Sequence, residues 1–100
     1  MKDMLDKIIQ IEKKYNELGE TLSDPAVIQD YNKFRDLSKQ RKSMEETVNL
    51  YYEWKKAVDA IEDAKQLIHE EKDEEMKSFL KAEMEENEAK LPEYEERMKV

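Results

Sequence analysis

The sequence predicts an all-α protein, an elongated antiparallel helical hairpin or three-helix bundle with coiled-coil-like packing. Only one glycine and two prolines occur among the 100 residues, so few positions favour a turn. Charged residues make up 44% of the chain and hydrophobic residues 38%, and the abundant Glu, Lys, Leu and Met all favour helix. The apolar residues recur at steps of three and four, as the buried stripe of a packed helix requires. We therefore expect nearly every residue to lie in a helix of one domain, residues 1–100.

The first helix is predicted at about residues 2–21. Ser23, Asp24 and Pro25 end it, and a short helical turn follows at about residues 24–29. Asp24 is suited to cap the free N–H groups of this turn, and Pro25 suits its first position. The connection is short, so the next helix should return antiparallel to the first. The apolar stripe of the first helix comprises Met1, Met4, Ile8, Ile11, Tyr15, Leu18 and Leu22.

A long helix is predicted at about residues 31–70, because this stretch has neither glycine nor proline and Asp30 can cap its start. Val48, Tyr51 and Trp54 follow one another at steps of three, whereas a heptad alternates three and four. We expect the long helix to change its packing partner from one neighbouring helix to another at this point. The stripe of the long helix comprises Phe34, Leu37, Met44, Val48, Tyr51, Trp54, Val58, Ile61 and Ile68.

The last helix is predicted at about residues 74–98, with Asp73 as its cap. Pro92 removes a backbone donor from the helix, which predicts a kink or an early end near Leu91. The stripe here comprises Leu80, Met84, Leu91, Tyr94 and Met98, with Asn87 as a polar interruption.

The charge distribution is uneven along the chain. The formal net charge of −8 opposes general attraction to nucleic acid. Residues 33–42 nevertheless carry five basic side chains against one acidic, whereas residues 59–75 carry eight acidic against two basic. The basic segment is a candidate contact for RNA phosphates; an ordinary solvated helix surface is the alternative. The candidate contact residues are Lys33, Arg35, Lys39, Arg41 and Lys42, of which Arg41 also occupies a stripe position where its stem can pack.

No catalytic, cofactor-binding or metal-binding residues are expected, and the chain is not expected to be an enzyme. Cysteine is absent, and His69 is the only histidine, so a closed coordination sphere has too few ligands. The serines have no base in a recognisable arrangement. The start of the chain lacks an apolar stretch, so neither a signal peptide nor a membrane span is predicted, and a cytoplasmic location is expected.

The order of residues from the end of the first helix into the long helix is more specific. It runs Leu22 to Pro25, then Val27, Ile28, Asp30, Phe34, Arg35, Leu37, Ser38 and Lys39. This tract resembles the N-terminal helical domain of bacterial class I peptide chain release factors, the release factor 1 branch in particular. The flanking helices are similar in character over essentially the whole chain.

The resemblance implies a noncatalytic ribosome-docking domain of a translation termination factor that recognises UAA and UAG stop codons. In this family a Pro-x-Thr type loop reads the codon and a Gly-Gly-Gln loop triggers hydrolysis of peptidyl-tRNA; neither loop occurs in these residues. The implied partners are the stalk base of the large ribosomal subunit at the GTPase-associated centre and the class II release factor. Neither a membrane nor a small-molecule substrate is implied. The alternative is a freestanding helical-hairpin interaction protein that acts by coiled-coil association.

Overall fold

The computed structural model describes residues 2–99, which form four helices: α1 (Lys2–Thr21), α2 (Pro25–Gln29), α3 (Tyr31–Glu70) and α4 (Glu74–Met98). The described residues contain no β-strand. The all-α prediction is therefore confirmed. Met1, which was predicted to begin the stripe of the first helix, lies outside the described residues.

The predicted capping residues hold the starts of three helices. The Asp24 carboxylate accepts a hydrogen bond from the Ala26 N–H at 3.0 Å, with Pro25 at the first turn of α2. Asp30 accepts from the Lys33 N–H at 3.2 Å, and Asp73 accepts from the Glu75 N–H at 3.2 Å. Each cap satisfies a backbone donor that has no partner within its own helix.

Backbone contacts divide the chain into two compact units, Met1–Asn49 and Leu50–Val100. The helix α3 contributes its first part to one unit and its remainder to the other. That residues 1–100 make up one domain stays a prediction.

In the first unit, α1 packs against the first part of α3. The Arg41 guanidinium lies 3.8 Å from the centroid of the Tyr15 ring, which joins the two helices. Ile8 lies seven residues before Tyr15 on α1, and Val48 lies seven residues after Arg41 on α3. Both Ile8 and Val48 are fully buried. This register is what antiparallel packing requires. Val27 of α2 is also buried.

In the second unit, α4 packs against the remainder of α3. The Trp54 indole N–H donates to a Glu95 carboxylate oxygen at 3.2 Å. Both residues are far from the short connection between α3 and α4, so these helices are also antiparallel. The buried apolar residues of this unit are Leu50, Tyr51, Ala57, Ile61, Ala64, Leu80 and Met98.

The neighbour of α3 changes where the step of three predicts. Arg41 contacts α1, whereas Trp54 bonds to α4, and the division between the units falls between Asn49 and Leu50. Leu50 and Tyr51 are both buried although they are adjacent. Adjacent helical residues point about 100° apart, so α3 is covered here over a wider arc than one stripe.

The predicted early end of the last helix near Leu91 is wrong. The helix α4 continues through Pro92 to Met98. Met98 is fully buried, and Leu91 and Tyr94 are half-buried, so the apolar stripe packs on both sides of the proline. This burial offsets the loss of the Pro92 donor. The kink near Leu91 stays a prediction.

Phe34, predicted in the packed stripe, is only partly covered, with 37% of the residue exposed. The antiparallel register that pairs Tyr15 with Arg41 places Phe34 opposite Leu22. Leu22 is one residue beyond the end of α1. Phe34 is therefore on the apolar face of α3 at the point where the covering helix ends.

Candidate functional site

Three of the five predicted basic residues share one face at the start of α3. Arg35, Lys39 and Lys42 line a shallow groove of about 370 Å³ together with Tyr31, Phe34 and Ser38. These six positions follow one another at helical spacings, so a single helix face presents them all. Two aromatic rings at the start of this face are thus followed by three basic side chains.

The two aromatic residues of this face are open to solvent. Tyr31 is 74% exposed and Phe34 is 37% exposed. Both Nε and Nη2 of Arg35 lie 3.3 Å from the same Asp36 carboxylate oxygen, and its guanidinium lies 5.9 Å from the Tyr31 ring centroid. An exposed ion pair of this kind contributes little to stability. The Arg35 side chain is therefore held near the ring yet accessible to a ligand.

Arg41 packs against α1, and it lines a second pocket beside Lys42. Its Nε donates to the Tyr15 backbone oxygen at 3.0 Å, and its guanidinium stacks on the Tyr15 ring at 3.8 Å. A β-carbon at Gly19 would lie 3.0 Å from the nearest guanidinium nitrogen. Arg41 thus joins α3 to α1, and Gly19 leaves it the space to do so.

Lys33 does not line the groove. Its side chain is exposed, and its backbone N–H belongs to the cap formed by Asp30. Of the five predicted contact residues, three line this groove, and Arg41 lines a neighbouring pocket that Lys42 shares. Sequence reasoning missed Tyr31 as a member of this face, although its spacing from Arg35 and Ser38 was a usable signal.

The close approach of Gly19 and Arg41 predicts a compensating effect on stability. Gly19→Ala should stabilise α1 by about 0.5–1 kcal/mol through helix propensity, but the new methyl group displaces the Arg41 guanidinium, which costs a similar amount. We expect almost no net change in the free energy of unfolding, measured by urea denaturation.

The same substitution in an Arg41→Ala background provides the control. With the guanidinium gone, Gly19→Ala should show its full stabilisation of about 0.5–1 kcal/mol. Equal effects of Gly19→Ala in both backgrounds would contradict the inferred coupling.

The aromatic cluster in the second unit is a packing feature. The Tyr51 and Trp54 rings are stacked with centroids 6.2 Å apart, and Tyr51 is buried. The adjacent groove has a volume of about 440 Å³. Its lining contains two lysines and two aspartates: Tyr52, Lys55, Lys56, Asp59, Ala60 and Asp63. Its mixed charge selects neither an anionic nor a cationic ligand.

The described residues hold no group of three or more His, Asp or Glu side chains that could bind a metal ion. His69 is exposed at the last turn of α3. Two of the serines are engaged in local hydrogen bonds: Ser23 donates to the Gly19 carbonyl oxygen at 3.2 Å and Ser43 to that of Gln40 at 2.6 Å. Within residues 2–99 no helix is both long and apolar enough to span a membrane.

Comparison with known proteins shows the family to which the chain belongs. The model of the PCRF domain matches residues 11–100. The chain belongs to the PCRF domain family. It is 39% identical over 97 residues to Peptide chain release factor 1 of Chloroherpeton thalassium, and 39% identical over the same length to the proteins of that name in Bacillus cytotoxicus and Oceanobacillus iheyensis. The resemblance stated from the sequence is thereby confirmed.

The matched region is a limited part of these relatives. In each of the three comparisons it covers 97% of this chain but only 27% of the relative. The chain thus spans about a quarter of the length of these release factors, and what it matches is the PCRF domain. No solved structure matches the chain.

Proposed function

We propose that this PCRF domain is the noncatalytic ribosome-docking part of a translation termination factor that recognises UAA and UAG. The observation that carries this proposal is identity at 39% over 97% of the chain to proteins named Peptide chain release factor 1. Codon reading and peptidyl-tRNA hydrolysis belong, in this proposal, to other parts of the factor. Its location would be cytoplasmic, where translation takes place.

The face formed by Tyr31, Phe34, Arg35, Lys39 and Lys42 supports a role in docking. Its three cationic side chains are opposite in charge to the phosphates of ribosomal RNA, and its exposed rings can stack on unpaired bases. Arg41 is left out of the proposed contact because its guanidinium is held on Tyr15, although it lines a neighbouring pocket with Lys42. We therefore propose Arg35, Lys39 and Lys42 as the phosphate contacts, and the stalk base at the GTPase-associated centre as their location on the ribosome. The class II release factor is a further proposed partner.

The termination role is tested first by the reading frame that encodes this chain. A continuation beyond Val100 that encodes Gly-Gly-Gln is expected. The protein encoded by that whole frame should release peptide from ribosomes programmed with UAA or UAG, and not from those programmed with UGA. A stop codon directly after Val100 would contradict the proposal and favour the freestanding interaction protein.

The 100-residue chain alone should release no peptide from the same programmed ribosomes, with or without a stop codon, because it lacks the Gly-Gly-Gln loop. Release is measured as labelled formyl-methionine freed from its initiator tRNA, with an intact release factor 1 as the positive control. Stop-dependent release by the 100-residue chain would contradict the assignment of hydrolysis to other parts of the factor.

A further inference from the structure

Three large apolar side chains are exposed near the connection between α3 and α4. Leu67 is 52% exposed, Met76 is 44% exposed and Phe79 is 57% exposed. All three belong to the second unit. At about 1.5 Å rise per residue, Leu67 and Met76 are each within about 5 Å of the helix ends that meet at the connection. Phe79 follows one turn further along α4.

Helical geometry places these side chains on one side of the α3–α4 hairpin. Leu67 directly precedes Ile68, and Phe79 directly precedes Leu80, the latter residue in each pair belonging to the packed stripe. Each exposed residue is thus rotated by about 100° from its stripe in the same sense. Because the two helices run antiparallel, that rotation brings both residues to the same side. Met76 lies three residues before Phe79 and four before Leu80, so it lies between the packed stripe and Phe79, on the same side of the hairpin.

The charged neighbours of Leu67 and Phe79 along their helices are acidic, whereas Met76 is followed by Lys77, which pairs with Glu74 at 3.7 Å. On α3, Leu67 has Asp63 four residues before it and Glu70 three residues after it. On α4, Phe79 has Glu75 four residues before it and Glu83 four residues after it. Residues three or four apart on a helix are surface neighbours. An apolar centre with acidic flanks is therefore present on this side of the hairpin.

We propose that this surface, Leu67, Met76 and Phe79 with their flanking carboxylates, binds a basic amphipathic helix of another protein. The apolar centre suits the apolar face of such a helix, and the carboxylates suit lysine or arginine on both sides of that face. Charge disfavours two other occupants. A second copy would bring two acidic faces together, and RNA phosphates would be repelled. This surface belongs to the second unit, whereas the basic groove belongs to the first, and the inference does not depend on the proposed function.

The test uses a synthetic helical peptide as the probe. The peptide carries leucine at positions that form one helix face and lysine on both flanks, and a second peptide with glutamate in place of lysine is the matched probe. Fluorescence anisotropy should show that the 100-residue chain binds the lysine peptide, with an affinity that falls as salt is added, and does not bind the glutamate peptide. Equal binding of both peptides, or of neither, would overturn the proposal.

Two pairs of variants separate this surface from general attraction to an acidic protein. Leu67→Ser with Phe79→Ser should weaken binding of the lysine peptide at least about tenfold, as loss of central apolar anchors does. Ile9→Ser with Ile28→Ser removes two exposed apolar side chains from the first unit, 44% and 53% exposed, and should change affinity less than about twofold. Circular dichroism checks that all variants keep their helix content.

The charge variants follow the same logic. Glu75→Lys with Glu83→Lys should weaken binding and flatten its salt dependence, whereas Glu17→Lys with Glu20→Lys on α1 makes the same change in net charge and should leave the site intact. Equal effects of the two charge pairs would mean that net charge alone attracts the peptide. Sedimentation of the chain without peptide is expected to show a monomer. A dimer abolished by the Leu67 and Phe79 substitutions would assign the surface to self-association and overturn the proposal.

Discussion

Ile8→Asp should lower the free energy of unfolding by about 4 kcal/mol, the larger of two effects expected from this structure. Ile8 is fully buried in the first unit, so the substitution removes apolar contacts between α1 and α3 and places a carboxylate where water cannot reach it. Burying an unpaired charge adds to the cost of the lost packing. Urea denaturation followed by circular dichroism measures the change.

Ile9→Asp is the matched control, because Ile9 is the next residue of the same helix and is 44% exposed. The chemical change and the backbone context are nearly identical, so only burial differs. We expect Ile9→Asp to cost under about 1 kcal/mol, mainly through helix propensity. Equal destabilisation by the two substitutions would mean that the face of α1 that packs against α3 has been assigned incorrectly.

Reversing the charge of Arg35, Lys39 and Lys42 to glutamate should weaken ribosome binding by at least about tenfold at low salt, if these residues contact phosphates as proposed. The dependence of affinity on salt should also become shallower, since fewer counterions are released on binding. The three side chains line an exposed groove, so the fold should persist. Binding to purified ribosomes is measured by sedimentation across a salt series, and circular dichroism verifies the helix content.

The control for this charge reversal is Lys7, Lys13 and Lys14 on α1, each changed to glutamate. These lysines are also exposed, and their reversal alters the net charge by the same amount. Their affinity and salt dependence should stay near those of the unchanged chain. Equal losses in the two triple variants would indicate general repulsion from the ribosome, and no loss in either would mean that the basic groove is ordinary solvated surface.

Arg41 is excluded from this triple for a structural reason. Its guanidinium stacks on Tyr15 and its Nε bonds to the Tyr15 carbonyl oxygen. Reversing its charge would remove a contact between α1 and α3, so a loss of ribosome binding would report on the fold as well as on the surface. The basic segment predicted from sequence thus contains residues of two kinds: the stripe position of Arg41 indicated the difference, and its packing against α1 shows it.

Local chemistry explains why so much of the helical structure could be predicted. Asp24, Asp30 and Asp73 cap backbone donors within three residues of themselves, so their role needs no information from distant parts of the chain. The change of neighbour along α3 was visible as the steps of three from Val48 to Trp54. The family resemblance rests on residue order, which is likewise a property of the sequence.

Tertiary packing decided the rest. Phe34 has the spacing of a packed residue, but it remains exposed because α1 ends opposite it. Ala57 and Ala64 are buried, although small side chains give a weak periodic signal. Helix α4 passes through Pro92 because the apolar residues beyond the proline, ending at the fully buried Met98, still pack. Sequence periodicity determines which face of a helix is apolar, whereas the length and register of the neighbouring helix determine how much of that face is covered.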